Sequence, residues 1–396
     1  MFRLTRYLDY LAGPAERPFA TAPTRPTGPV VIWNLTRRCN LTCRHCYSTS
    51  ADRDFAGELT TAEALQVMAD LRAFGVPVLI LSGGEPLLRA DLFTLSAQAR
   101  ALGFYVALST NGTLIDRHNI DAIADAGYDY VGISLDGIGA THDRFRRKAG
   151  AYDAALRAVD LCRQRGIKVG LRCTLTRHNA ADLPRLLELM RRHEVDKFFL
   201  SHLNYGGRGN VNRRDDAAHR LTREALDTLI ETAWRDVQAG ARREYVSGNN
   251  DADGVYLLHR AARHRPGHVA GLRARLAAWG GNASGEQIAN IDNLGHVHPD
   301  TFWWHHSLGN VRQRPFSAIW SDPADPLLQR LRSRPRPLRG RCGACAERAI
   351  CNGSSRIRAF QASQDYWAED PGCYLSDAEI GLRPVADGAV AAGGGR

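Results

Sequence analysis

Six β-branched or apolar runs punctuate residues 30 to 203, and a helix-patterned stretch separates each from the next. They are "VVIWNL" (30–35), "PVLILS" (77–82), "FYVALS" (104–109), "YVGISL" (130–135), "KVGLRCTL" (168–175) and "KFFLSHL" (197–203), bounded by Gly, Pro or Asn. Near-continuous apolar strands belong to a sheet covered on both faces, and strands alternating with helices build parallel sheets through right-handed crossovers. The first intervening stretch shows the helix signals in full: Thr60 precedes Glu63 as a capping box, Ala64, Leu65, Met68 and Leu71 share one face, and Gly75 stops the run. Segments 91–102, 116–126, 151–165 and 182–193 repeat the pattern. The chain is therefore expected to be α/β, with a six-stranded parallel sheet, open or curled into a partial barrel, and ligands at the carboxyl ends of its strands.

The cysteines say what those strand ends carry. Cys39, Cys43 and Cys46 fall within eight residues in "CNLTCRHCY", directly after the first strand. A closed zinc site takes four protein ligands, so three thiolates leave it one short; an iron–sulfur cubane held by three leaves one iron open to a small ligand. Asp9 interrupts the apolar start where a leader peptide needs its apolar segment, and no run of about 18 apolar residues occurs, so the chain is expected in the cytoplasm with no membrane partner. Nine cysteines in a reducing compartment argue for metal or redox chemistry over disulfides. Cys162 and Cys173, on a helix and a strand, are expected to be core thiols. The net charge of +10 rests almost wholly on arginine, Lys148, Lys168 and Lys197 being the only lysines, and on its own it names no nucleic-acid partner.

The C-x3-C-x2-C spacing resembles that of the radical S-adenosylmethionine (SAM) enzymes, with His45 where that family places an aromatic-type residue. Further matches follow in the family's order. "GGEP" (83–86) closes the second strand, where two glycines permit close backbone approach and Glu85 can accept hydrogen bonds from an ammonium. "STNGT" (109–113) resembles the third-strand terminus, with Asn111 near the cofactor. "GISLDG" (132–137) puts Ser134 and Asp136 on one face of a strand, at positions that bind the SAM ribose, and "HDRFRRKAG" (142–150) puts Arg146 where an arginine faces the cofactor. The resemblance implies a partial (β/α)6 radical SAM barrel, a 4Fe-4S cluster on Cys39, Cys43 and Cys46, and SAM on the free iron. Its implied cofactor contacts are Tyr47, Gly83, Gly84, Glu85, Pro86, Asn111, Ser134, Asp136 and Arg146. It also implies a low-potential donor, such as flavodoxin or ferredoxin, and cleavage of SAM to a 5'-deoxyadenosyl radical that abstracts hydrogen. The cofactor carries that chemistry, so no catalytic acid or base is assigned.

A second set, Cys342, Cys345, Cys351 and Cys373, reads C-x2-C-x5-C-x21-C. By spacing alone four ligands suit a zinc tetrahedron. Beside the first motif, the set resembles the SPASM auxiliary domain, and the resemblance implies a second 4Fe-4S cluster with four Cys ligands. A full SPASM series would continue to a cysteine where Ser355 stands and would have others where Asn282 and Asp300 stand, so one auxiliary cluster is expected, with Asp300 as an oxygen ligand to another the weaker alternative. The organisation expected is an N-terminal extension (1–29), a radical SAM core (30–204), a helical linker region (205–281), a loop-rich auxiliary cluster domain (282–380) and a disordered tail (381–396).

The runs 28–60 and 351–375 are similar to the radical SAM proteins of heme d1 and alternative heme biosynthesis. This similarity implies a tetrapyrrole substrate, didecarboxysiroheme, losing two propionate side chains on the way to ring oxo groups. "GGRGNVNRR", Arg356 and Arg358 are candidate carboxylate forks, and His296, His298, His305 and His306 candidate axial ligands to a substrate iron, beside plain surface or hydrogen-bonding readings of each. The alternatives are decarboxylation of coproheme or siroheme side chains, maturation of a peptide, and a non-enzymatic iron–sulfur or zinc regulator touching nucleic acid through "RSRPRPLRGR" (332–341).

Overall fold

The computed structural model describes residues 1–17 and 28–382. The six expected strands all form: β1 (Val30–Asn34), β2 (Val78–Ser82), β3 (Tyr105–Thr110), β4 (Tyr130–Ser134), β5 (Val169–Leu175) and β6 (Lys197–His202). They pair in parallel and in sequence order, each β/α unit adding one strand beside the last. The capping box is present, Thr60 accepting from Glu63 N–H at the start of the helix Thr61–Ala73.

The sheet is larger than expected. β7 (Glu244–Gly248) pairs in parallel with β6, and β8 (Ile288–Ile291) in parallel with β1, while β9 (His296–His298) and β10 (Gly309–Asn310) continue antiparallel beyond β8. The order is β10-β9-β8-β1-β2-β3-β4-β5-β6-β7. The segment expected as a helical linker thus supplies one edge, and the segment expected as loop-rich supplies the other. Both additions were hidden by being short and polar in part: β7 runs into "SGNND", and β8 has Asn290 at its centre. Asn290 is fully buried, its Nδ2 donating to Asn34 Oδ1 and Ile32 O within the sheet while its Oδ1 is buried without a partner. The helix Ala252–His264, also not anticipated, follows β7 and packs against Val269–Trp279.

One hydrophobic core runs from Phe2 to Ile380, and a smaller one gathers Trp303, Leu327, Leu331, Ile357 and Trp367. Within the extension expected at 1–29, the helix Leu4–Ala12 packs on the helix His219–Gln238, and Phe2 pairs with Ser247. Cys162 and Cys173 are buried core thiols, as expected. The tail lies outside the described residues from 383 onward. Among the described residues no helix is long and apolar enough to cross a membrane.

Candidate active site

The first cysteine loop leaves the carboxyl end of β1. Cys39 and Cys43 are buried around Leu41, with Cys46 half-buried beside them. Each sulfur has a hydrogen-bonding neighbour: Leu41 N–H (3.4 Å) and Asn111 Nδ2 (3.9 Å) on Cys39, Arg146 Nη1 (3.5 Å) on Cys43, and the Ser48 hydroxyl (3.3 Å) on Cys46. Burial pushes the Cys39 thiol up to about 12, so a thiolate there needs a cation at close range. This donor set fits an iron–sulfur cluster.

The "GGEP" turn is built against the same loop. Gly84 N–H donates to Thr36 O (2.7 Å) and Glu85 N–H to Arg38 O (2.8 Å), while a Cβ on Gly84 would lie 2.1 Å from Arg38 O. Only glycine allows that approach. Gly83 O accepts from Asn34 Nδ2 at 3.2 Å, and Pro86 opens a short turn to Leu88. The Glu85 carboxylate is fully buried and accepts from Thr110 Oγ1 (2.7 Å), Asn111 N–H (2.8 Å) and Leu87 N–H (3.3 Å). Burial raises its pKa to about 7 against the pull of those three donors. Asn111 is fixed in turn by Asn40 and Thr113.

Asp136 and Arg146 form a buried pair. Asp136 Oδ1 accepts from Thr174 N–H at 2.7 Å, and Oδ2 is ion-paired with the guanidinium that also reaches Cys43. Burial opposes the Asp136 charge, but Arg146 prevails and holds its pKa below the ordinary carboxylate value. Hydrogen bonds to cluster sulfurs raise reduction potentials. Arg146→Gln is expected to move the potential of a cluster on this loop to a more negative value, read by potentiometry with electron paramagnetic resonance; an unchanged potential would leave Arg146 with a packing role alone.

Tyr47 lies inside the curve of the sheet. Its hydroxyl accepts from Asn34 Nδ2 at 2.8 Å, and its ring meets Phe302 at 5.4 Å and Trp304 at 6.2 Å, both edge-on. Ser134 is half-buried nearby in the register, opposite Arg172 of β5. Arg172 was not anticipated as a site residue. Its signal was an arginine in an apolar central strand whose neighbour across the ladder carries Gly132.

The four C-terminal cysteines line one cleft of about 410 Å3, counting space open to solvent, together with Arg341, Arg348 and Asp370. Cys373 Sγ accepts from Arg341 Nη1 (3.2 Å), Cys342 Sγ from Asp370 N–H (3.4 Å) and Cys345 Sγ from Glu347 N–H (3.3 Å). Ser355 caps the helix Arg356–Ser363 and donates to Asn204 Oδ1 at 2.9 Å. Asn282 accepts from Arg336 at 2.8 Å, and Asp300 is occupied by Ser284, Phe302 N–H and Trp303 Nε1. Asp300 is thus committed to its own loop, against its reading as a cluster ligand.

Several arginines expected as carboxylate forks are structural. Arg208 Nε donates to Cys43 O (2.7 Å), its Nη1 to Ser50 O (2.9 Å) and its backbone N–H to Cys46 O (2.9 Å). Asn210 and Arg213 of the same segment reach Gln361 at 2.9 and 3.0 Å, so "GGRGNVNRR" ties the cysteine loop to the C-terminal region. Arg356 donates to the carbonyls of Tyr366, Ala368 and Gly353, and Arg358 pairs with Asp370 at 2.7 Å where both are about 1% exposed. In "RSRPRPLRGR", Arg332 and Arg336 turn inward to carbonyls and Asn282, which leaves them little for phosphate. Of the four histidines, His298 has both nitrogens engaged, by His306 O and Asp292, whereas His306 Nε2 is buried without a partner.

The family model described as the Radical SAM superfamily matches residues 33–190. The pre-heme d1 synthase of Dinoroseobacter shibae is 57% identical over 389 residues, covering 98% of this chain and 95% of its own. The Fe-coproporphyrin III synthase of Methanosarcina barkeri is 43% identical over 357 residues, covering 89% of each chain. Among solved structures, native anSMEcpe with bound AdoMet superposes with a TM-score of 0.67 at 18% identity, over 89% of this chain and 95% of that one, a likeness of fold.

Proposed function

Since the chain belongs to the radical SAM superfamily, we propose that it is the enzyme of heme d1 biosynthesis that removes two propionate side chains from didecarboxysiroheme. The observation that carries this reading is the likeness to a pre-heme d1 synthase along nearly the whole chain, the auxiliary region included. The aromatic segment beside the first cysteine loop supports it, because Phe302 and Trp304 gather apolar ring surface around Tyr47, the kind of wall a planar macrocycle packs against.

In this reading Cys39, Cys43 and Cys46 hold a cluster that binds SAM, and Cys342, Cys345, Cys351 and Cys373 hold a second. When bound, cluster and SAM supply one-electron cleavage and hydrogen abstraction; the chain supplies placement and dryness. Gly83 to Pro86 and Asn111 shape the wall on which SAM rests, with Glu85 fixing the ends of β2 and β3 against each other. Ser134 is the ribose contact. Asp136, with Oδ1 taken by Thr174 and Oδ2 by Arg146, acts through Arg146. The second cluster, closed by four cysteines, serves as an electron relay or structural clip, and a low-potential protein donor supplies the electrons.

The test is an anaerobic incubation of reconstituted protein with SAM, a low-potential reductant and didecarboxysiroheme, following 5'-deoxyadenosine and tetrapyrrole mass together. Coupled loss of the propionate-derived mass is the expected result. 5'-Deoxyadenosine with an unchanged tetrapyrrole would retain the superfamily chemistry and reject this substrate.

A further inference from the structure

We propose that Arg172 is a carboxylate receptor on the inner face of the sheet, positioning an acidic ligand beneath the first cysteine loop. The guanidinium extends from β5 across β4, where a Cβ on Gly132 would come within 2.9 Å of Arg172 Cδ, and reaches Ser109 Oγ on β3. Its other described contact is the ring of Phe199 on β6, 5.6 Å from the guanidinium carbon. The glycine on β4 is what lets so long a side chain lie flat along the sheet.

Its partners set Arg172 apart from the other inward-facing arginines. Arg146 and Arg358 are paired with Asp136 and Asp370, and Arg208 gives its Nε and Nη1 to main-chain carbonyls, with Nη2 buried without a partner. Arg172 is half-buried, and its contacts among the described residues are one hydroxyl and one aromatic face, with no carboxylate. A guanidinium carries five donors in a fork matched to a carboxylate, and a partly desolvated cation without a counter-charge is costly. In the register it stands opposite Ser134, and its partner Ser109 lies two residues before Asn111, whose amide is 3.9 Å from Cys39 Sγ. A carboxylate docked here would therefore lie inside the curve of the sheet, close to the cysteine loop.

Two carboxylates suit that position, the methionyl carboxylate of SAM and a side-chain carboxylate of the substrate; the second rests on the tetrapyrrole function proposed above. The experiment uses the reconstituted full chain and its R172Q and R172K variants under anaerobic conditions. SAM and decarboxylated SAM are titrated by calorimetry, and didecarboxysiroheme and its methyl ester by the Soret band. The expected result is that R172Q weakens one of the two carboxylate ligands by about tenfold to a hundredfold, R172K recovers part of the loss, and the neutral comparator of that ligand binds all three proteins alike. Whichever ligand is weakened identifies the source. Equal binding of both carboxylate ligands to R172Q, or an equal loss for their neutral comparators, overturns the proposal. Failure of the unaltered protein to bind the tetrapyrrole would count against the proposed substrate alone, since the SAM titration still reads Arg172.

Discussion

Replacing Cys39, Cys43 and Cys46 together by alanine is expected to abolish SAM cleavage and to lower the reconstituted iron from roughly eight atoms per chain to roughly four. The loop should survive the change, because its backbone is held by groups other than the sulfurs. Arg208 binds the Cys43 and Ser50 carbonyls, Asn212 donates to Arg44 O at 2.8 Å, and Arg44 itself pairs with Asp215 at 2.7 Å. In the function proposed above, the remaining iron is that of the cleft lined by Cys342, Cys345, Cys351 and Cys373. Iron analysis with 5'-deoxyadenosine assay decides the matter: retention of all the iron would refute the ligand assignment, and loss of all of it would show that the two sites do not assemble independently.

Arg358→Met should cost about 3–5 kcal/mol of stability, the range for removing one partner of a buried ion pair. The variant leaves the Asp370 carboxylate fully buried without its cation. Asp370 also accepts from Ser355 N–H and Gly372 N–H, and its own N–H donates to Cys342 Sγ, while Arg358 reaches Leu203 O at the end of β6 at 3.1 Å. The pair thus pins the auxiliary loop to the barrel. Burial opposes the Asp370 charge, but Arg358 overcomes it and holds the pKa below its ordinary 3.8, so the contribution is complete above that pH and is lost as pH falls through the lowered value. Denaturant unfolding at neutral pH should show the deficit together with weaker retention of auxiliary iron. An unchanged midpoint would mean that the loop is anchored elsewhere.

Much of this was legible in the sequence because it rests on short-range pattern. Buried parallel strands must be apolar almost throughout, which made β1 to β6 readable, and the cysteine spacing and "GGEP" are constraints of a few adjacent residues. The added strands β7 and β8 had no such signal: β7 runs directly into polar "SGNND", and β8 carries Asn290, whose amide donates to Asn34 and Ile32 only once β8 lies beside β1. Arginine was the hardest residue to read. Its side chain spans several ångströms, so sequence position does not determine whether the guanidinium meets a carbonyl, as Arg208 does, a carboxylate, as Arg358 does, or a hydroxyl across a glycine, as Arg172 does. Asp136 shows the same limit: its place after β4 says nothing of Arg146 and the Thr174 amide, both of which the fold sets against it.

The pairing of β8 with β1 bears on how such chains can change over generations. β1 feeds the first cysteine loop, and its free edge is covered by residues 288 to 291 from the far side of the sequence, with β9 and β10 beyond them. A lineage that lost its C-terminal cysteines by truncating the gene after the six β/α units would uncover the very strand that positions the first cysteine loop and leave an unpaired edge open to aggregation. Those cysteines can therefore be discarded by point mutation, one at a time, far more readily than by deletion.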